Sequence, residues 1–145
     1  MISVYLDNCC YNRPYDDQSQ PKVQLETQAK MLIQKMIIDK KLDLIYSYVS
    51  EYENSRNSND YNRSSILDFF RNAVIYVDYS HKDEIQAEMN EIMKTGVKKM
   101  DALQVASAII GKSDYFLTTD KRLLKYQSDK IRIINPIDFV RDVEV

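Results

Sequence analysis

Hydrophobic and polar positions along the chain follow two alternating patterns, short apolar runs and longer stretches with helical spacing. The short runs predict five strands. They lie at residues 2–6, 42–46, 73–79, 114–118 and 130–136. The stretches between them predict helices, including one from about 48 to 57, one over 101–110 and a short one at the end of the chain. Strands that alternate with helices predict an α/β fold.

Several residues mark the expected helix ends. Pro21 lies near the start of a helix, where its missing N–H costs little. Ser80 and Asp83 have the spacing of a helix cap, and Gly111 is placed to end the helix 101–110. The apolar positions of the helix after Pro21 predict its buried face. They are Leu25, Ala29, Leu32, Ile33, Met36 and Ile37.

The order of these elements predicts a doubly wound sandwich, in which a mostly parallel five-stranded sheet carries helices on both faces. Crossovers between parallel strands are right-handed, which places helices on each side of the sheet. Ligands of such sheets bind beyond the carboxyl ends of the strands. Candidate chemistry is therefore expected at this edge, in a single domain spanning residues 1–145.

Four acidic residues from distant parts of the chain are expected at this edge. Asp7 directly follows the first strand, and Asp120 follows the fourth. Asp101 is the first residue of a predicted helix whose N-terminus lies at the same edge. Glu53 lies about one and a half helical turns beyond the second strand, still within reach of the edge at ~1.5 Å per residue. The predicted fold thus brings the four carboxylates to the same edge of the sheet, close to one another.

Converging carboxylates repel one another, so the site must hold protons or bind cations. Oxygen ligands suit Mg²⁺ or Mn²⁺ better than zinc, and such ions activate water and stabilise the leaving oxygen of a phosphodiester. Each acid also has a simpler interpretation. Asp101 and Asp120 are placed to cap helices, and Glu51 competes with Glu53 for the inward face.

Composition narrows the class of protein. The net charge of −2 argues against a nonspecific nucleic-acid coating protein, without excluding an enzyme that acts on nucleic acid. The adjacent pair Cys9 and Cys10 lacks the spacing of a redox motif and the further ligands of a zinc site, so packing is expected for both. No apolar run is long enough to span a bilayer, and no signal peptide is evident. A cytoplasmic protein without membrane contact is expected.

Four stretches of the chain resemble the PIN domain family. They are VYLDN at 4–8, SYVSEYE at 47–53, MDALQVASAI at 100–109 and DYFLTTDKRLL at 114–124. The last two together are specific, and the resemblance spans nearly the whole chain. PIN domains are α/β sandwiches, and many are Mg²⁺- or Mn²⁺-dependent ribonucleases. A large bacterial group consists of the toxins of toxin–antitoxin pairs.

The resemblance implies a metal-dependent endoribonuclease whose catalytic and metal-binding residues are Asp7, Glu53, Asp101 and Asp120. It favours Glu53 over Glu51, because the family's glutamate comes six residues after a serine that ends the second strand, here Ser47. It also implies supporting roles for Thr118, Thr119 and Asn8 beside the acids. The implied partners are an RNA substrate, an antitoxin protein and a second copy of the chain in a homodimer.

One stretch departs from the family pattern. After Asp7 the chain has NCCYNRPYDDQSQPK, a longer loop than is usual, in which Asp16 and Asp17 are expected to be solvated. Basic residues near the site are candidates for binding substrate phosphates. They are Arg13, Lys98, Lys99, Lys121 and Arg122. Tyr11, Tyr15 and Tyr52 are candidates for stacking on unpaired bases.

Other classes fit less well. A haloacid-dehalogenase-type phosphatase needs a second acid two residues after the first, where this chain has Cys9. A receiver domain needs an aspartate after its third strand and a later lysine; Asp78 is present but no lysine matches after the fifth strand. The alternative that stays open is a catalytically inactive PIN-fold regulator that binds RNA or protein. The presence of all four acids favours the enzyme.

Overall fold

A computed structural model describes all 145 residues, Met1–Val145. Its centre is one five-stranded sheet in the order β3-β2-β1-β4-β5, with every neighbouring pair parallel. The strands are β1 (Ser3–Leu6), β2 (Asp43–Ser47), β3 (Ile75–Val77), β4 (Tyr115–Leu117) and β5 (Arg132–Ile134). All five predicted strands are present, and the predicted parallel α/β sheet is confirmed.

Eight helices surround the sheet. They are α1 (Asn8–Asn12), α2 (Pro21–Ile38), α3 (Tyr48–Ser55), α4 (Asp60–Phe69), α5 (Lys82–Met93), α6 (Lys99–Ile110), α7 (Lys121–Leu124) and α8 (Pro136–Asp142). Pro21 is the first residue of α2, as predicted. The helix predicted to begin at Asp101 begins two residues earlier, at Lys99.

The sheet separates two apolar cores. Val4 and Leu6 of β1 face one core, which α1, α2, α4 and α8 complete. Tyr5, between them, faces the other core, formed with α5, α6 and α7. Successive side chains of a strand point to opposite faces, so an apolar run on the central strand supplies both cores. This burial fixes β1 at the centre and brings its carboxyl end, where Asp7 follows, into the middle of the sheet edge.

Strand register places the ends of β1 and β4 side by side. Leu6 pairs with Leu117, and the backbone N–H of Asp7 donates to the carbonyl of Leu117 at 2.9 Å. The residues that follow the two strands, Asp7 and Thr118, are therefore neighbours. A shift of one residue in this pairing would turn every side chain of the strand to the other face. Burial of both faces of β1 thus determines which polar residues meet at the edge.

The predicted buried face of α2 is partly wrong. Leu25 and Leu32 are 53% and 44% exposed, whereas Glu26 and Lys30 are buried. The Glu26 carboxylate accepts a hydrogen bond from Asn135 Nδ2 at 2.6 Å and lies 3.0 Å from the Arg13 guanidinium. A buried charge is retained where it is paired and hydrogen-bonded. These long-range partners rotate α2 away from the face that its apolar pattern predicts.

Two predicted helix ends have different outcomes. Gly111 ends α6, as predicted, and a Cβ at this position would lie 2.8 Å from methyl groups of both Ile45 and Val77. The predicted Ser80 cap is wrong, because the side chain of Asp78 accepts from the Ser80 N–H at 3.0 Å and caps a 3₁₀ turn over 79–81 that leads into α5. The cap lies two residues earlier than predicted because the 3₁₀ turn precedes α5. In α5, Met93 is also more exposed than predicted.

The segment predicted as a long loop after Asp7 is partly helical. It folds into α1 and a 3₁₀ turn over Arg13–Tyr15. The Asp7 side chain caps α1 by accepting from the Asn8 N–H at 2.8 Å, and Cys10 and Tyr11 are buried beneath the helix. Tyr11 packs against Phe70 and is only 2% exposed, so its ring is not available for stacking on a base. No helix of the chain has the length and apolar character needed to cross a membrane.

Candidate active site

The carboxyl edge of the sheet holds a pocket of about 310 Å³ lined mainly by polar side chains. The lining residues are Asp7, Asn8, Cys9, Asn12, Asp16, Glu53, Asp101 and Asp120. The structure therefore brings together all four acids that the sequence placed at this edge. We call this space the acidic pocket. Asp16, expected to be a solvated loop residue, is exposed but also lines it.

Asp7 is the most buried of the four acids, with 5% of its surface exposed. Its Oδ2 accepts from Thr118 Oγ1 at 2.8 Å, and its Oδ1 accepts from the backbone of Asn8. Burial is the main cause that raises the pKa of Asp7 well above its ordinary value; the neighbouring Cys9 adds to the rise, and the charges of Glu53 and Asp101 add less. Thr118 thus holds Asp7 as the resemblance implied, whereas Asn8 does so through its backbone N–H.

Glu53 is held by a chain of buried polar groups. Gln104 Nε2 donates to Glu53 Oε1 at 2.6 Å, and the hydroxyl of Tyr5 donates to the Gln104 side-chain carbonyl. The Tyr5 hydroxyl also lies 2.7 Å from Ser47 Oγ. The pKa of Glu53 is raised, first by burial and further by Asp101, while the bond from Gln104 opposes the rise. Glu51 does not line the acidic pocket; it lies beside Tyr76.

Asp101 and Asp120 form the opposite wall. Burial raises the pKa of Asp101, and the neighbouring charge of Asp120 adds to this effect. The Asp120 side chain also caps α7, accepting from the N–H groups of Arg122 at 2.8 Å and Leu123 at 3.4 Å. Asp120 therefore caps a helix and also lines the acidic pocket, the two roles that the sequence suggested for it. Asp101 lies in the first turn of α6, where a carboxylate is also favoured by the helix dipole.

The four carboxylates of the acidic pocket suit a hard divalent cation. Its acids supply only oxygen, the ligand that Mg²⁺ and Mn²⁺ prefer. Three of the four have pKa values raised by burial first and by neighbouring charges second, so a bound cation would offset the cost of their charged forms. No three His, Cys, Asp or Glu side chains stand close enough to surround one ion as they are. The chemistry of the side chains fits such an ion, and their present spacing does not form a closed cage.

Cys9 is a site residue that the sequence analysis missed. The packing prediction is right for Cys10, which is fully buried, and wrong for Cys9, which lines the acidic pocket. Cys9 Sγ lies 3.4 Å from Asp7 Oδ2 and 3.4 Å from Thr118 Oγ1, and accepts from the Thr119 N–H. Because α1 starts directly after Asp7, its first turn brings residue 9 back over the carboxylate. A prediction of helix α1 would have placed Cys9 here, but this segment was predicted to be a loop.

A second, larger space adjoins the acidic pocket on the side of Asp101 and Asp120. It measures about 670 Å³, and its walls include Lys98, Arg122 and Lys125. We call it the basic cleft. It also contains the partly buried ring of Tyr126. Two of the predicted phosphate contacts, Lys98 and Arg122, thus lie beside the acids.

The other predicted phosphate contacts lie elsewhere. Lys99 and Lys121 are exposed and do not line the basic cleft. The Arg13 guanidinium lies 2.9 Å from Asp16 and 3.0 Å from the buried Glu26. Arg13 therefore joins the segment after α1 to α2, and its charge is already neutralised by two carboxylates.

A third space adjoins the acidic pocket on the opposite side. It measures about 340 Å³ and is lined by Asn8, Asn12, Glu53, Arg56, Asn57 and Met100. We call it the amide pocket, because three of its six lining residues are asparagines. The three spaces share residues at their boundaries and form one continuous groove across the carboxyl edge, with the acids in the middle.

Comparison with solved structures identifies the architecture. The chain is similar to a chain in the crystal structure of VapBC2 from Rickettsia felis bound to a DNA fragment from its promoter, with a TM-score of 0.56 and 15% identity. The match covers 92% of this chain and 98% of the other. The fold is PIN-like. A scan against protein-family models and a search of curated proteins gave no match.

The PIN-like fold agrees with the architecture that the sequence resemblance implied. At 15% identity the likeness shows the fold alone.

Proposed function

We propose that this protein is a metal-dependent endoribonuclease that hydrolyses phosphodiester bonds of RNA. The observation that carries the proposal is the acidic pocket, in which Asp7, Glu53, Asp101 and Asp120 share one space at the carboxyl edge of a PIN-like sheet. Burial and neighbouring acids raise the pKa values of Asp7, Glu53 and Asp101, and a bound cation would offset the cost of their charged forms. Mg²⁺ or Mn²⁺ is the cofactor that the oxygen ligands suit.

Each acid has a distinct part in the proposed site. Asp7, fixed by Thr118, and Glu53, fixed by Gln104, form the rigid wall that faces the ion. Asp101 and Asp120 form the wall next to the basic cleft, where the phosphodiester approaches. A bound divalent ion would activate water and stabilise the negative charge that develops on the phosphate. The four carboxylates position that ion, and Thr119 supports the wall through its backbone contact with Cys9.

The basic cleft supports RNA as the substrate. Lys98, Arg122 and Lys125 line it without taking part in any salt bridge. Positive charges beside an acidic metal site hold the phosphate backbone of a nucleic acid in register. The cleft is therefore the proposed path of the strand on one side of the cut phosphodiester. Lys99 and Lys121, on the exposed first turns of α6 and α7, contribute to the surrounding positive potential.

We further propose that the protein is the toxin of a toxin–antitoxin pair, with an antitoxin protein as its partner and a homodimer as its assembly. The support is the sequence resemblance together with the likeness to a chain of the VapBC2 complex. A single domain over residues 1–145 is consistent with the continuous sheet, which uses strands from both ends of the chain.

The second candidate function is a PIN-fold regulator that binds RNA or protein without cleaving RNA. The spacing of the acids, which do not form a closed cage as they stand, favours this alternative. The two proposals differ in whether the action of the protein on RNA depends on the metal ion. A nuclease needs the ion for its activity, whereas a regulator binds its partner with or without the ion.

Metal binding distinguishes these functions most cheaply. Calorimetric titration with Mn²⁺ should show binding by the wild type and at least tenfold weaker binding by Asp101→Asn. Asp68→Asn is the matched control, because Asp68 is an exposed aspartate whose only ion pair is with Arg71 on the surface. RNA binding in EDTA by a protein with no affinity for Mn²⁺ would support the regulator instead.

A further inference from the structure

The amide pocket differs in chemistry from the basic cleft at the other end of the groove. It shares Asn8, Asn12 and Glu53 with the acidic pocket, so a ligand in it would lie directly beside the proposed cleavage site. Its lining contains one cation, Arg56, and no lysine. Neutral amide groups lack the positive charge of the basic cleft and offer both donors and acceptors to a base edge. The two ends of the groove therefore suit different parts of a nucleotide chain.

The amides of this pocket are fixed by a chain of hydrogen bonds. Asn57 Nδ2 donates to Asn12 Oδ1 at 2.9 Å, and Asn12 Nδ2 donates to the backbone carbonyl of Asn8 at 3.0 Å. Asn57 Oδ1 accepts from the N–H of Asn59 at 3.1 Å. The asparagine side chains are thus oriented before any ligand arrives. Preorganised polar groups bind with a smaller loss of conformational entropy.

The backbone that carries Asn57 is fixed as well. Arg63, on α4, donates from Nη1 to the carbonyl of Asn57 at 2.8 Å and contacts Asp60 through Nη2 at 2.6 Å. The N–H of Asn57 donates to the carbonyl of Asn54 at 3.0 Å. The turn between α3 and α4 is therefore a built wall of the pocket. Its opposite wall is α1, the segment in which this chain departs from the usual PIN pattern.

Arg56 provides the free donors of the pocket. Its guanidinium lies over the exposed ring of Tyr52, 5.9 Å from the centroid, and takes part in no salt bridge. This cation–π contact with Tyr52 helps to hold the guanidinium beside the pocket, and its N–H groups stay available. Met100 supplies the one apolar surface of the pocket. A planar donor fork, fixed amides and an apolar contact are what an unpaired base requires.

We infer that the amide pocket binds one unpaired nucleobase next to the cut phosphodiester, and that guanine is the preferred base. The inference rests on the proposed RNA cleavage at the acidic pocket and adds a determinant of sequence specificity. Guanine presents two adjacent acceptors, O6 and N7, which an arginine fork contacts together. The asparagine amides contact the remaining polar edge, and Met100 packs against the face of the base. The substrate class is single-stranded RNA with a guanosine at a fixed position beside the cut.

The test uses short oligouridylates that carry a single guanosine, adenosine or cytidine at one central position. With Mn²⁺, the wild type should cleave next to guanosine about ten times faster than next to the other bases. Arg56→Lys keeps the charge but loses the planar fork, so it should reduce the guanosine rate to that of the other bases. Arg71→Ala, which removes an exposed arginine of the turn after α4, is the matched control and should keep the preference.

A parallel binding measurement separates failure of this inference from failure of the proposed nuclease. Fluorescence anisotropy in EDTA should show about tenfold tighter binding of the guanosine oligomer by the wild type and no such preference in Arg56→Lys. Cleavage without any preference for guanosine, or with a preference that survives Arg56→Lys, would overturn the inference and leave the nuclease in place. Absence of cleavage together with an Arg56-dependent guanosine preference in binding would overturn the nuclease and support the pocket.

Discussion

Gln104 Nε2 donates a hydrogen bond of 2.6 Å to Glu53 Oε1, and this bond joins the only glutamate of the acidic pocket to the buried core. The Gln104 carbonyl in turn accepts from the hydroxyl of Tyr5 on the central strand. Gln104 is almost fully buried, so its amide has no water to replace these partners. The position of Glu53 is therefore determined by the sheet, although Glu53 itself lies on a helix with a partly exposed surface.

This relationship predicts that Gln104→Met impairs the site without touching a carboxylate. Methionine has a similar volume but cannot donate to Glu53, so the carboxylate loses its fixed orientation. We expect Mn²⁺ affinity and cleavage rate to fall about 10–100-fold, as for other residues that orient metal ligands. Calorimetry and a cleavage assay measure the two quantities. A folded Gln104→Met protein with wild-type Mn²⁺ affinity would show that Glu53 needs no such support.

Asp7→Asn is expected to stabilise the metal-free protein at neutral pH. The pKa of Asp7 is higher in the folded protein than in the unfolded chain. Its contribution to the free energy of unfolding is therefore fully present below about pH 4, the ordinary aspartate pKa, and is lost as pH rises through the higher pKa of the folded protein. Asparagine carries no charge, so the Asp7→Asn protein does not lose this stability at neutral pH. In EDTA at pH 7 the melting temperature should rise, by about 2–4 °C for each kcal/mol regained at this chain length.

The comparison needs two controls. At pH 4 the wild type and Asp7→Asn should melt at nearly the same temperature, because Asp7 is then protonated in the folded protein. Adding Mn²⁺ should raise the melting temperature of the wild type and of Asp68→Asn but not that of Asp7→Asn. A lower melting temperature for Asp7→Asn in EDTA at neutral pH would show that the buried Asp7 carboxylate carries no such cost.

Lys30 gives a test of stability away from the site. Burial lowers the pKa of Lys30 to about 8, and its Nζ donates to Gln34 Oε1 at 2.6 Å. Below about pH 8 the folded protein carries a buried ammonium group at a cost, which is relieved as pH rises toward the ordinary value of about 10.4. Lys30→Met should therefore increase the free energy of unfolding at pH 7, by an amount on the order of 2–3 kcal/mol.

The gain from Lys30→Met should shrink as pH rises from about 8 to about 10, which urea unfolding at several pH values measures. Lys35→Met, on the same helix, is the control, since Lys35 is exposed and forms only a surface pair with Asp39. Equal stability changes for the two variants at pH 7 would show that burial of Lys30 has no cost.

The basic cleft predicts a salt-dependent contribution to RNA binding. Replacing Arg122 and Lys125 together by alanine should weaken binding of single-stranded RNA of every sequence to a similar extent. It should also reduce the slope of log affinity against log salt by about 1.4, at roughly 0.7 per phosphate contact in a single strand. The control is the double variant Lys41→Ala and Lys112→Ala, which removes two exposed lysines outside the cleft and thus the same net charge. An equal loss in both double variants would assign the effect to overall charge.

The sequence predicted a parallel sheet because short apolar runs alternate with stretches of helical spacing, although it did not indicate the order of the strands in the sheet. It predicted the meeting of the four acids because Asp7 and Asp120 follow strands, while Glu53 and Asp101 lie in the first two turns of helices that start at the same edge. The buried face of α2 was not predictable in this way. Its orientation depends on Glu26 meeting Arg13 and Asn135, which lie 13 and 109 residues away, and no local pattern contains that information.

The segment after Asp7 shows a second limit of pattern analysis. NCCYN has no apolar period long enough to indicate a helix, and α1 comprises only five residues. Its stability comes from the Asp7 cap and from the burial of Cys10 and Tyr11 against the sheet. Because α1 was not predicted, the position of Cys9 over Asp7 and the amide pocket between α1 and α3 were not predicted either. Both depend on tertiary packing rather than on local propensity.

The most direct test of the central claim is cleavage of labelled RNA by the purified protein with Mn²⁺, with EDTA, and with Asp7→Asn in Mn²⁺. The account predicts cleavage by the wild type and by Asp68→Asn only when Mn²⁺ is present, and at least a hundredfold slower cleavage by a folded Asp7→Asn. Cleavage that persists in EDTA, or that Asp7→Asn retains in Mn²⁺, would contradict the assignment of the acidic pocket as the catalytic metal site.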